Sequence, residues 1–92
     1  MGRCRLQVYY SGRVQGVGFR YAVQQQAAGF EVVGAVHNLP DGRVELVAEG
    51  ERSELEAFCT AIRDAGLARL IQHEATTWAD ARGQFRGFAI VS

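Results

Sequence analysis

Residues 32–49 read VVGAVHNLPDGRVELVAE. The first eight, Val32 to Leu39, form an apolar-rich strand pattern. Pro40, Asp41, Gly42 and Arg43 then give a turn whose glycine can take positive φ. Beyond it Val44, Leu46 and Ala48 fall on one face, with Arg43, Glu45 and Glu49 around the other, the period of a strand buried on one side. Two such runs joined by a tight turn make a hairpin. What flanks the hairpin decides how it is used.

Each flank carries a helical stripe. Upstream, Phe19, Val23, Ala27 and Phe30 recur at helical spacing, with Gly29 as a stop signal. Downstream, Leu55, Phe58, Cys59 and Ile62 follow the i, i+3, i+4, i+7 rule for a core-facing helix ending near Gly66. Ser53 and Glu56 stand at capping-box spacing at its start. Outside the helices lie further strand patterns. Leu6, Val8 and Tyr10 alternate with Arg5, Gln7 and Tyr9. Residues 68–79 are rich in strand formers (Ile71, Thr76, Thr77, Trp78), and Phe85 to Val91 gives a last short strand after the turn-like ARGQ. The order β-α-β-β-α-β predicts an α+β, ferredoxin-like sandwich with a mostly antiparallel sheet, both helices on one face and an extra short C-terminal strand. The first and second strands then run in the same direction, so their C-terminal ends meet at one edge of the sheet, near Asn38.

Ninety-two residues predict one domain, 1–92, without linker or repeat. A hydrophobic fraction of 48% and a charged fraction of 22% fit an ordinary globular protein. Net charge is zero, so no global field recruits nucleic acid or an anionic membrane. All ten basic residues are arginine, which excludes a Walker lysine or a Schiff-base lysine. Cys4 and Cys59 lack metal-type spacing and read as two free thiols, although one disulfide is formally open. No secretion signal and no membrane-length apolar run occur, so a cytoplasmic monomer is expected.

Residues 12–20, GRVQGVGFR, concentrate three glycines and an arginine between the first strand and the first helix. Glycines 12, 16 and 18 let the backbone curl and turn several amides into one space. The first N–H groups of the helix lack intrahelical partners and add the positive end of its dipole. Converging amides, a helix N-terminus and one guanidinium make an anion site.

The same stretch resembles the signature of the acylphosphatases, and the likeness extends from the first strand through VHNLPDGRVELVAEG to the closing GFAIV. The resemblance implies the fold derived above and hydrolysis of the carboxyl-phosphate anhydride of acyl phosphates to a carboxylate and inorganic phosphate. It implies that the backbone of Gln15, Gly16, Val17, Gly18, Phe19 and Arg20 holds phosphate together with the Arg20 side chain. Asn38, eighteen residues on, would orient the attacking water. Neither a cofactor nor a metal is implied. The family commonly has glycine where this chain has Glu31. Either Glu31 takes positive φ, at about 1 kcal/mol, or the first helix stops earlier, at Gly29.

The remaining candidates have plainer readings. His37 is predicted to point to the open face of the sheet, away from Asn38, as a solvated histidine, and His73 to lie on the surface. Glu49, Glu51, Glu54 and Glu56 read as a solvated cluster at the start of the second helix. Tyr9, Tyr10, Tyr21 and Trp78 do not make a stacking platform for RNA, since the RNP1 pattern and a basic excess are missing, and Tyr10 reads as core. The rival functional class is a non-catalytic ferredoxin-like module that binds an anion or a protein. The pairing of Arg20 with Asn38, and a chain that stops at residue 92, argue for the enzyme.

Overall fold

The computed structural model describes residues 2–66 and 68–91. Strand β1 (Cys4–Gly12) leads into helix α1 (Phe19–Ala27), then the hairpin of β2 (Val32–Asn38) and β3 (Val44–Gly50), helix α2 (Arg52–Asp64), a short 3-10 turn, β4 (Ile71–Asp80) and β5 (Phe88–Val91). The five strands are ordered β4-β1-β3-β2-β5. All neighbours are antiparallel except β2 and β5, which run parallel. The expected sandwich is therefore present, with the extra strand on the free side of β2.

One face of the sheet is covered by the helices. Leu6, Val8 and Tyr10 of β1, Val32 and Val36 of β2, and Val44, Leu46 and Ala48 of β3 meet Phe19, Val23 and Ala27 of α1 and Leu55, Phe58, Cys59 and Ile62 of α2. The two periodicities picked out this set, because burial of one face is what imposes each period, except that Phe30 lies beyond the end of α1 and is only partly buried. Cys4 and Cys59 are both free thiols. Burial pushes the Cys59 thiol up to about 11, so it serves as packing rather than as a nucleophile.

Several local expectations are corrected. The predicted capping box is not made: α2 starts one residue before Ser53, with Glu51 at the N-cap and no side-chain cap. Glu56 bonds Arg52 one turn away instead, at 3.3 Å. The fourth strand begins at Ile71 rather than 68, because residues 68–70 wind into the 3-10 turn. Helix α1 ends at Ala27 and closes through short-range bonds from the Ala28, Gly29 and Phe30 N–H groups. Glu31 keeps negative φ and carries no strain.

Glu49 is the largest correction. It is 1% exposed, not solvated. It lies on the open face beneath residues 81–87, where the Arg82 and Gly83 N–H groups donate to its two oxygens at 2.8 and 3.0 Å and Arg5 pairs with it at 3.1 Å. Period-2 patterning assigns a polar residue to the open face but cannot see a later loop folding over it. Glu49 thereby fastens the segment between β4 and β5 and fixes where β5 begins.

The loop between β1 and α1 is tied to the β2–β3 hairpin in a comparable way. Gln15 donates through Nε2 to the Leu39 and Arg43 carbonyl oxygens at 2.8 and 2.9 Å, across the mouth of the turn that follows Asn38. Gly42, at φ 97°, makes that turn possible.

Two stability measurements follow. Burial alone would raise the Glu49 carboxyl, but the two N–H donors and Arg5 outweigh it and hold the group below its ordinary value. A depressed folded-state value stabilises the protein above the unfolded value, near 4.5, and the contribution fades as pH falls through the folded one. Glu49→Gln should therefore lower Tm at pH 7, and the gap to wild type should close on acidification; a pH-independent gap would contradict this. Gln15→Leu removes both side-chain bonds, while the Leu39 and Arg43 carbonyl oxygens keep the Gly42 and Leu39 N–H groups as donors, and should cost about 1 kcal/mol, or ~4–8 °C of Tm per kcal/mol in a domain of this size. An unchanged Tm would show that the clip is idle.

Candidate active site

The antiparallel register sets the site. Tyr10 pairs with Val44 and Val44 with Asn38, so these three residues form one row across β1, β3 and β2. All three belong to the helix-covered face. Tyr10 is the last fully buried residue before the loop, and its ring meets Phe19 edge-on at 5.1 Å. This contact seats the first residue of α1 over the strand end, and the start of the helix and Asn38 line one cavity.

Glycine has two distinct uses in the loop. A Cβ on Gly12 would run into the Leu70 carbonyl oxygen, so that position answers to close packing against the start of β4. Gly16 and Gly18 have open space around them but φ of 75° and 82°, the left-handed region that side chains resist. Gly18 is the N-cap of α1, without a side-chain cap. Nor does an acidic residue occupy the first turn of α1. The first amides of α1 therefore retain their donor capacity for a ligand.

Loop, helix and strand enclose a cavity of about 160 Å³, lined by Gly16, Gly18, Phe19, Arg20 and Asn38 together with Val14, Tyr21 and Ile90. That is many times the ~10–15 Å³ one water needs, enough for a phosphate-sized anion with a water. The Arg20 guanidinium spends one Nη1 bond on the Val91 carbonyl at 3.2 Å, which steadies it at the sheet edge. Among the described residues Arg20 faces no carboxylate. Asn38 Oδ1 is buried without a hydrogen-bond partner. An unsatisfied buried acceptor costs about 1–3 kcal/mol, so it is a place that calls for a donor.

Of the seven residues singled out in the sequence, Gly16, Gly18, Phe19, Arg20 and Asn38 come together on this cavity. The Gln15 side chain turns away to the hairpin. Val17 stands exposed between the two lining glycines. Sequence reasoning missed Val14, Tyr21 and Ile90 as lining residues. Helical spacing places Tyr21 off the buried stripe of α1, and the position of Ile90 depends on the parallel pairing of β5, which has no local signal.

His37 projects from the opposite face, as expected, but is half-buried rather than freely solvated, with Nε2 at 3.3 Å from Glu45. A second concavity between α2 and β4, lined by Cys59, Arg63 and Trp78 among others, has its guanidinium committed to Glu74 at 2.9 Å. Among the described residues no group of three or more His, Cys, Asp or Glu could hold a metal ion. No helix among them is long and apolar enough to cross a membrane.

Comparison with known proteins gives a consistent result. The acylphosphatase family profile matches residues 6–90. An acylphosphatase of Thermobifida fusca is 39% identical over 96% of this chain and 97% of its own. The crystal structure of acylphosphatase from Bacillus subtilis superposes with a TM-score of 0.88 at 35% identity, covering 97% of this chain and 99% of that one. Full-length HypF, in a phosphate- and nucleotide-bound form, matches with a TM-score of 0.84 at 26% identity, but over only 12% of its length. By the match along nearly all of its described length, the chain belongs to the acylphosphatase family.

Proposed function

We propose that the chain hydrolyses acyl phosphates at the cavity between the glycine loop and Asn38, releasing a carboxylate and inorganic phosphate. The observation that carries the reading is the buried, partnerless Asn38 Oδ1 in one cavity with Arg20 and the N-terminus of α1. One part of such a site suits the phosphoryl oxygens. The other suits a water.

The reaction asks for little else. A carboxylate leaving group has a conjugate-acid pKa near ~4 and departs without a general acid. A loose phosphoryl transition state demands little of a general base. Charge stabilisation and placement of the nucleophile remain. Arg20 and the amides of residues 15–20 hold the phosphoryl oxygens, and their strongest interaction comes as charge redistributes onto those oxygens. Asn38 Oδ1 accepts a hydrogen bond from the water and aims its lone pair at phosphorus, opposite the acyl oxygen. The P–O bond to the acyl group breaks as the water oxygen bonds to phosphorus. The water's protons pass to phosphate oxygens and solvent.

No metal enters this scheme, since none of the cavity-lining side chains is a carboxylate, imidazole or thiol. His37 is not in it either, because it lies on the other face of the sheet with Glu45. The small substrate and the phosphate product are the only partners the reading requires. The reading is of a monomeric cytoplasmic enzyme, and the net charge of zero argues against a nucleic-acid partner.

Hydrolysis of benzoyl phosphate by the wild type, with and without EDTA, tests the activity, and the two rates should be equal. Arg20→Ala should lose about 10²–10³-fold in kcat/KM, together with the thermal stabilisation that inorganic phosphate confers. Asn38→Ala should lose about 10²-fold in kcat with phosphate inhibition nearly unchanged. His37→Ala should stay close to wild type. An active Asn38→Ala protein would remove the water-positioning role, and an inactive His37→Ala protein would reinstate a base.

A further inference from the structure

Large apolar side chains are exposed at four of the described positions: Val17, Tyr21, Ile90 and Val91. Isolated exposures of this kind are ordinary. Here, however, Tyr21 and Ile90, 59% and 36% exposed, line the cavity of Arg20 and Asn38, and Val17 stands between two lining glycines. They come from three separate segments of the chain. The side chains that the rest of the fold keeps inside are thus left in solvent around one opening.

Depth orders this cavity by chemistry. Asn38 Oδ1 is buried whereas Tyr21 and Ile90 are exposed to solvent, which assigns the first to the inner end and the other two to the mouth. Ile90 pairs with Val36, two residues before Asn38 on the helix-covered face, so it flanks the site from the β5 side. Tyr21 flanks it from α1, where its hydroxyl accepts a hydrogen bond from Gln25 Nε2 at 2.9 Å, one turn on. That bond turns the polar tip of the ring along the helix and leaves the ring itself as the surface beside the opening. In-line displacement sets the acyl oxygen opposite the water. With the water on Asn38 at the inner end, the acyl group extends outward to the mouth.

Resting on the hydrolase reading above, we infer that Tyr21 and Ile90 form an acyl-binding rim that favours acyl phosphates with uncharged apolar acyl groups, aromatic or branched, over acetyl phosphate. The lining offers no second cation for a carboxylate-bearing acyl chain, since Arg20 is its single charged side chain. An apolar acyl group instead covers the ring and the isoleucine and takes their surface out of water. Tyr21 and Ile90 are specificity-determining residues in this account and take no part in bond making or breaking.

The test compares kcat/KM for benzoyl and acetyl phosphate in wild type, Tyr21→Ala, Tyr21→Phe and Ile90→Ser, with inhibition of the wild type by benzylphosphonate and methylphosphonate. The benzoyl-to-acetyl ratio should fall about fivefold to tenfold in Tyr21→Ala and in Ile90→Ser, near the low end of what a lost apolar contact costs in discrimination. Tyr21→Phe should keep the wild-type ratio, because the ring and not the hydroxyl provides the contact. Benzylphosphonate should inhibit the wild type at least about fivefold more tightly than methylphosphonate, a readout that needs no variant to fold. A ratio that stays constant, even if both rates drop together, would overturn the rim and leave Tyr21 and Ile90 as structural. Equal inhibition by the two phosphonates would overturn it as well. A wild type that hydrolyses neither substrate yet keeps the phosphonate preference would refute the hydrolase reading and uphold the rim.

Discussion

The site depends on β3 being paired on both sides. Its antiparallel ladders to β1 and β2 carry one register across three strands, so Tyr10, Val44 and Asn38 share a row. With strands ~4.8 Å apart, Asn38 is held about two strand spacings from the end of β1. Because side chains alternate across a strand, a one-residue slip in either ladder would send Asn38 to the open face. The buried apolar face forbids that slip: Val32 and Val36, on the same face of β2, would be driven out of the core with it. The core therefore sets the position of a residue at its rim.

The two faces of the sheet divide the work. The helix-covered face supplies the hydrophobic core and, where β1 and β2 end, the cavity. On the open face, polar groups fasten chain segments to one another. Glu49 binds the Arg82 and Gly83 amides and Arg5. His37 is matched with Glu45, and Arg43 covers the Tyr9 ring at 4.6 Å. The loop itself is held by Gln15, which reaches the hairpin rather than the cavity. A glycine-rich anion loop needs such external support, since the freedom that lets Gly16 and Gly18 curl would otherwise let them move.

Much of this was legible in the sequence because it rests on local periodicity. The stripe from Leu55 to Ile62 and the alternation in β1 and β3 each report a buried face directly. The glycine loop and Arg20 were legible as an anion site because positive φ and a helix N-terminus are themselves local properties, whereas Asn38 drew its water-orienting reading from the family resemblance, with strand parity placing it on the same face. What escaped was non-local. Glu49 is polar on a sheet face, and only the return of residues 81–87 makes it buried. Ser53 and Glu56 have the right spacing for a capping box, but the helix begins earlier and Glu56 is drawn to Arg52. Ile90 reaches the site through a parallel pairing with β2 that closes a long stretch of chain.

The central claim is that this geometry directs water to phosphorus and not to the acyl carbon. Hydrolysis of an acyl phosphate in oxygen-18-labelled water, with mass analysis of both products, tests it directly. The account predicts the label in inorganic phosphate and none in the carboxylate. Label in the carboxylate would mean attack at the carbonyl carbon, and would contradict the roles assigned to Arg20 and Asn38.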